Sequence, residues 1–160
     1  MHIPQDELIT VLSDGRFHSG SELGVKWGVS RTAVSNAIRK LELPGLEVFK
    51  VRGKGYRLSS PLCLLDRAAI LNGLSDNERN QLLSLEIFNS IASTNSYLLK
   101  QGLPVSDEGA LLFRVCMSEM QHAGRGSRGR AWVSPFGHNI YLSISSGLPG
   151  GMKVMDGLSL

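Results

Sequence analysis

Residues 19–41 read SGSELGVKWGVSRTAVSNAIRKL, and this stretch decides how the first third of the chain folds. Ser19 stands three residues before Glu22, the spacing at which a hydroxyl and a carboxylate satisfy each other's backbone N–H groups, so a helix is predicted from about Gly20. Leu23 and Trp27 give that helix one apolar face, and Gly28 breaks it. Ser30 caps a further helix running to about Leu41. On it Ala33, Val34, Ala37, Ile38 and Leu41 share one stripe, while Arg31, Thr32, Ser35, Asn36, Arg39 and Lys40 share the other. The polar stripe mixes cations with short hydrogen-bonding side chains and contains no acid. Two short helices joined by a tight turn suit a helix-turn-helix, whose second helix enters the DNA major groove. Arg31, Thr32, Ser35, Asn36 and Arg39 would then face base edges, where arginine pairs with guanine and asparagine with adenine. A small helical domain with a merely solvated polar face carries the same pattern, so both readings stand at this point.

Outward from that stretch, Leu8, Ile9, Val11 and Leu12 mark an earlier helix that ends at Asp14-Gly15. Beyond it, Leu46–Val51 reads as a strand, Arg52 to Gly55 as a tight turn, and Tyr56–Leu58 as the returning strand. Arg52 and Lys54 at the hairpin tip would meet phosphates, as the wing of a winged helix-turn-helix does. Ser59-Ser60-Pro61 marks a boundary between a domain of residues 1–60 and a second of residues 61–160. In the second, Leu65–Leu74 reads as a helix, Ser75–Asn80 as a polar turn, Leu83–Phe88 as a strand and Thr94–Gln101 as a helix. A long apolar strand, Gly109–Ser118, precedes a loop rich in glycine and arginine over Glu119–Pro135. Asn139–Ser145 alternates as a strand, and Met152–Leu160 looks like the opening of a helix.

The formal net charge of +3 is unevenly spread. Residues 1–60 hold nine Lys/Arg against six Asp/Glu, and residues 61–160 hold eight against eight, so the excess points to an anionic partner for the first domain. No apolar run is long enough for a bilayer span, and MHIPQDELIT lacks the features of a secretory signal, so no membrane partner and a cytoplasmic location are expected. Cys63 and Cys116 have neither metal-ligand nor disulfide-framework spacing and read as reduced thiols; no metal site is expected.

The chemistry concentrates in QHAGRGSRGRAW, residues 121–132. Gly124, Gly126 and Gly129 let backbone N–H groups approach an anion, and Arg125, Arg128 and Arg130 supply forked donors of permanent charge. The loop lacks the GKS/T ending of a Walker A motif, and its GxGxxG precedes a turn and a strand rather than opening a helix, so it is not a dinucleotide fingerprint. Read alone, it suits a flexible nucleic-acid-binding segment as well as a nucleotide site, though its setting between two apolar strands argues against flexibility. It lacks the interleaved aromatic platforms that RNA-binding segments use for stacking. Ser93-Thr94-Asn95, at a helix entrance, offers N–H groups and side-chain hydrogen bonds to a small polar ligand. On its own this triplet reads more simply as an N-cap.

These motifs, in order, resemble the biotin–protein ligases that double as biotin operon repressors. The likeness is carried by Phe17-His18-Ser19-Gly20, Gly28 to Val34, the wing Val51 to Leu58, Ser93-Thr94-Asn95, Gln121, Gly124–Arg130, Ser134 to Gly137 and Asn139 to Ser143. The resemblance implies an α+β fold, with an N-terminal winged helix-turn-helix followed by part of a class II-synthetase-like catalytic domain, a mixed sheet with helices. It implies that biotin's carboxylate attacks the α-phosphate of ATP, giving biotinyl-5′-adenylate and pyrophosphate. A lysine of a biotin carboxyl carrier protein then takes the biotinyl group. Magnesium is expected with ATP. Operator DNA and a ligand-dependent homodimer of the full-length form are the other implied partners. Arg125 is the expected catalytic contact to the charged centre of the adenylate. Ser93, Thr94, Asn95, Gln121, Gly124, Gly126, Ser127, Arg128 and Trp132 are expected around biotin and adenylate, with Trp132 walling the apolar ring or supporting the loop. A regulator whose second domain only senses a ligand is the alternative.

Two departures carry expectations of their own. Ser127 stands where the family loop usually has arginine, which implies weaker retention of the adenylate. The family's downstream Lys-Trp-Pro-Asn-Asp motif is absent, so these residues are expected to form an N-terminal piece with little ligase activity alone and an uncovered apolar sheet face.

Overall fold

A computed structural model describes residues 3–104 and 110–147. They divide into two compact units: the described residues up to Leu64 with Pro135–Asn139, and those from Leu65 to Ser134 with those from Ile140 on.

The first unit holds α1 (Gln5–Leu12), α2 (Gly20–Trp27), α3 (Arg31–Arg39) and a hairpin of β1 (Val48–Val51) with β2 (Gly55–Leu58). Ser19 Oγ accepts from Glu22 N–H while the Glu22 carboxylate accepts from Ser19 N–H, closing the capping box that starts α2. That pairing holds the Glu22 carboxyl below its usual range. Gly28 ends α2 in the left-handed conformation, which costs a glycine little, and Ser30 Oγ accepts from Ala33 N–H to start α3. The core is made of Leu8, Ile9, Leu12, Leu23, Val34, Leu41, Tyr56 and Leu58. Burying these side chains stabilises the unit by about 1.5–3 kcal/mol each before conformational entropy is charged against it. The hairpin is tied to the helices by a bridge in which His18 and Tyr56 exchange backbone hydrogen bonds of 2.8 and 2.9 Å. Beside that bridge, the His18 ring and the Asp14 carboxylate lie 2.9 Å apart, and this hydrogen bond lowers the Asp14 pKa. Phe136 is fully buried in this unit and donates its N–H to Pro44 O at 2.7 Å.

The second unit contains α4 (Arg67–Asn72), α5 (Asp76–Gln81), β3 (Leu82–Phe88), α6 (Thr94–Gln101), β4 (Phe113–Ser118) and β5 (Tyr141–Ser146). Its sheet runs β3-β4-β5, parallel between β3 and β4 and antiparallel between β4 and β5. α6 forms the crossover between the parallel pair and lies against β4 and β5. The α+β class and the mixed sheet with helices agree with the sequence reading.

Three elements differ from it in detail. Ser75–Asn80, read as a turn, is largely the helix α5: Ser75 and Glu78 form a second capping box, which outweighs the missing apolar periodicity. The helix expected over Leu65–Leu74 shortens to Arg67–Asn72, with Asp66 as its N-cap. The strand expected over Gly109–Ser118 starts only at Phe113, where it first pairs with β3 at Leu82. Gly109 and Met152–Leu160 lie outside the described residues.

One face of the sheet is apolar and open. Leu82, Leu85, Phe113, Val115, Met117, Leu142 and Ile144, with Ile70 and Leu74, line a recess of about 360 Å³. Leu142 and Ile144 are 47% and 58% exposed, so the uncovered apolar face expected from the sequence is present in the described residues.

Candidate functional site

In the first unit, α3 turns Val34 into the core and leaves Arg31, Thr32, Asn36 and Arg39 exposed, with Ser35 half-buried. Arg39 donates to Asn36 Oδ1 at 2.5 Å, one turn away, so these two side chains form a pair on the exposed face. Arg52 and Lys54 are exposed at the hairpin tip. Lys54 Nζ stands 5.8 Å from the Phe17 ring, and the Arg57 guanidinium lies 5.2 Å from both the Phe17 and Phe49 rings. The hairpin thus carries a cationic surface braced by aromatic faces, of which the sequence reading named only the tip.

In the second unit, the ends of β3 and β4 run out side by side, and the segments that follow them stay in register. Ile91 N–H donates to Met120 O, His122 N–H to Ile91 O, and Ala123 N–H to Ala92 O, all at 3.0–3.1 Å. This zipper carries the loop after β4 past the entrance of α6. Ser93 is the N-cap, and its Oγ accepts from Ser96 N–H at 3.3 Å. Thr94 is buried: its N–H and Oγ1 both reach Gln121 Oε1, at 2.8 and 3.1 Å, and its Oγ1 lies 2.8 Å from Ser143 Oγ on β5. Gln121 N–H donates to Ser134 Oγ at 2.7 Å. Arg125 Nη2 donates to Ser96 Oγ at 3.1 Å, which holds the first arginine of the loop over the first turn of α6.

Glycine is required in this loop for close approach. A Cβ on Gly124 would fall 2.3 Å from the Trp132 ring, and one on Gly126 would fall 2.3 Å from Arg130 O. Trp132 therefore lies across the loop backbone; the residue is 45% exposed, and its ring tilts toward Tyr141 at 6.4 Å. Ser127–Gly129 make one turn of 3₁₀-helix with Arg128 at a φ of 57°, a strained value for a residue with a side chain. Arg130 donates through Nε to Ser127 O at 3.2 Å and through Nη2 to Ser127 Oγ at 2.6 Å, so Ser127 clasps a neighbouring cation.

Of the expected ligand-site residues, Thr94, Gln121, Gly124, Arg125 and Trp132 converge around the α6 entrance. Asn95 and Arg128 point into solvent, and Ser93 is occupied as a cap. Ser96 and Glu119 were missed, and Ser134 and Ser143, read only as motif positions, were given no role at the site. Glu119 is 2% exposed and accepts from Leu65 N–H; burial pushes its pKa up, and that hydrogen bond offsets the rise only in part. Burial likewise pushes the Cys116 thiol to about 11, so it is no nucleophile. Among the described residues no group of three His, Cys, Asp or Glu could hold a metal ion, and no helix is long and apolar enough to cross a membrane.

The helix pair and its hairpin define the first unit as a helix-turn-helix domain, and residues 5–57 match the HTH domain family. Nearly the whole chain is similar to bifunctional ligase/repressors named BirA. It is 42% identical to that of Salmonella typhimurium over 153 residues, 96% of this chain and 44% of the relative. The figures for Escherichia coli are 42% over 154 residues, again 96% and 44%. For Bacillus subtilis they are 33% over 141 residues, 86% and 41%. The resemblance drawn from the motifs is thus borne out along the chain, which spans less than half the length of these relatives.

Proposed function

We propose that this chain supplies the operator-reading domain and the biotin-activating loop of a biotin–protein ligase and repressor. The second unit binds biotin and ATP, and the first binds DNA. The observation that carries the reading is the meeting of Arg125 with the entrance of α6, beside the Thr94–Gln121 pair. Joining a carboxylate to a phosphate brings two anions together, so fixed positive charge and backbone donors must hold them. Arg125, with the N–H groups of Gly124 and Gly126, does this at the charged centre, while Thr94 and Gln121 hold the polar head of biotin. No enzyme nucleophile is needed: biotin's carboxylate oxygen bonds to the α-phosphorus and pyrophosphate leaves with its electron pair. Magnesium, carried largely by the nucleotide's own phosphates and water, would neutralise charge on the leaving group. The amine nitrogen of a carrier-protein lysine then bonds to the acyl carbon, AMP leaves with the electron pair of the broken C–O bond, and the amine gives up a proton. Ser127 offers no cation of its own to the adenylate, which is then held less firmly than in a Ser127→Arg variant.

Calorimetric titration of the chain with biotin and with biotinyl-5′-adenylate tests this reading. Saturable binding, tighter for the adenylate, is expected; absence of both contradicts it. Labelling of a carrier domain with radioactive biotin and ATP would support the ligase over a domain that only senses the ligand.

A further inference from the structure

The hydrogen bonds around Thr94 have a fixed direction. Thr94 N–H can only donate, so the Gln121 atom facing it at 2.8 Å must be Oε1 and not the amide nitrogen. Thr94 Oγ1 lies 3.1 Å from that same oxygen and spends its single hydrogen there. It has none left for Ser143 Oγ at 2.8 Å, so Ser143 donates to Thr94. The chain therefore runs from Ser143 through Thr94 to Gln121. Its two ends have opposite polarity: Ser143 Oγ is left with lone pairs only, and Gln121 Nε2 with hydrogens only.

We propose that Ser143 is a specificity-determining residue of this site, its hydroxyl oxygen accepting an N–H of the bound ligand while Gln121 Nε2 donates to the adjoining carbonyl. The site then takes a ligand edge in which an N–H donor adjoins a carbonyl, as in a cyclic urea. This rests on the biotin reading above and adds to it the residue that reads the ring nitrogen. Tyr141, Ser143 and Ser145 occupy alternate positions of β5, whose other set includes the exposed Leu142 and Ile144. The alternation thus puts Ser143 on the side where it meets Thr94. Ser145, two residues on, has a buried hydroxyl with no partner, which makes it a control on the same strand.

The test compares biotin with its two isosteric analogues in which one ring N–H is replaced by oxygen, titrated calorimetrically into the wild-type chain, Ser143→Ala, Ser143→Thr and Ser145→Ala. An oxygen placed against Ser143 meets lone pairs, so the wild type should prefer biotin over one analogue by roughly tenfold. Ser143→Ala should bring that ratio below about twofold, whereas Ser143→Thr, which keeps the hydroxyl, and Ser145→Ala should retain it. A role in folding alone would weaken all three ligands equally. Biotin binding with an unchanged ratio in Ser143→Ala overturns this inference and leaves the biotin reading standing. Failure of the wild type to bind biotin overturns both.

Discussion

The exposed face of α3 and the entrance of α6 are both lined by short hydroxyl, amide and guanidinium side chains, yet they are built in opposite ways. On α3 the candidate set comes from one segment of nine residues, ordered by its own cap and helical period. At α6 the set comes from segments as far apart as Thr94 and Ser143, and hydrogen bonds between them hold it together. A surface carried on one helix can lose a side chain without losing its fold. A site held by cross-segment bonds couples binding to local stability, because each partner removed leaves a buried group unsatisfied.

The largest effect should come from the core of the first unit. Leu12→Ala, at a fully buried position, should lower unfolding stability by about 2–5 kcal/mol in urea denaturation. Next, Gln121→Met should cost about 1–3 kcal/mol by stranding Thr94 N–H and should also weaken biotin binding. Loss of binding with stability untouched would remove the contrast between the two regions. Arg31→Ala should do the reverse: operator affinity measured by fluorescence anisotropy falls by about 1–3 kcal/mol, while stability stays within about 0.5 kcal/mol. Lys54→Ala should weaken binding to any duplex and reduce the salt slope of log K by about 1.

The smallest effect is a slope with pH. The folded state raises the Glu119 pKa from its ordinary 4.5, so it binds the proton more tightly than the unfolded chain. Where the native state holds the extra proton, stability falls as pH rises through the window above 4.5. Glu119→Gln keeps an acceptor for Leu65 N–H and removes this term. Urea midpoints should show the variant gaining on the wild type as pH rises; parallel curves would mean the carboxylate is not penalised by burial.

The same contrast explains what could be read from the chain. The starts of α2 and α3 were legible because Ser19, Glu22 and Ser30 act within one turn. α5 carries a similar signal in Ser75 and Glu78, but with no apolar period behind it the stretch read as a turn. The glycine and arginine loop was legible as an anion-binding segment, but the particular roles of Arg125 and Gln121 came only from the family resemblance. Ser134 and Ser143 were legible only as motif positions, since a serine gains a role from what folding places opposite it. Strand alternation did offer a hint: Ser143 shares its parity with buried Tyr141 and not with exposed Leu142.

On the proposed reading, Arg125, Thr94 and Gln121 line one ligand site, with Arg125 at its charged centre and Thr94 and Gln121 at the polar head. Amide NMR of the labelled chain, titrated with biotinyl-5′-adenylate, tests it most directly. Shifts should concentrate at Thr94–Ser96, Gln121 and Gly124–Gly126, with Arg31–Arg39 unmoved. Saturation with none of those amides responding, or with the shifts confined to α3, would contradict it.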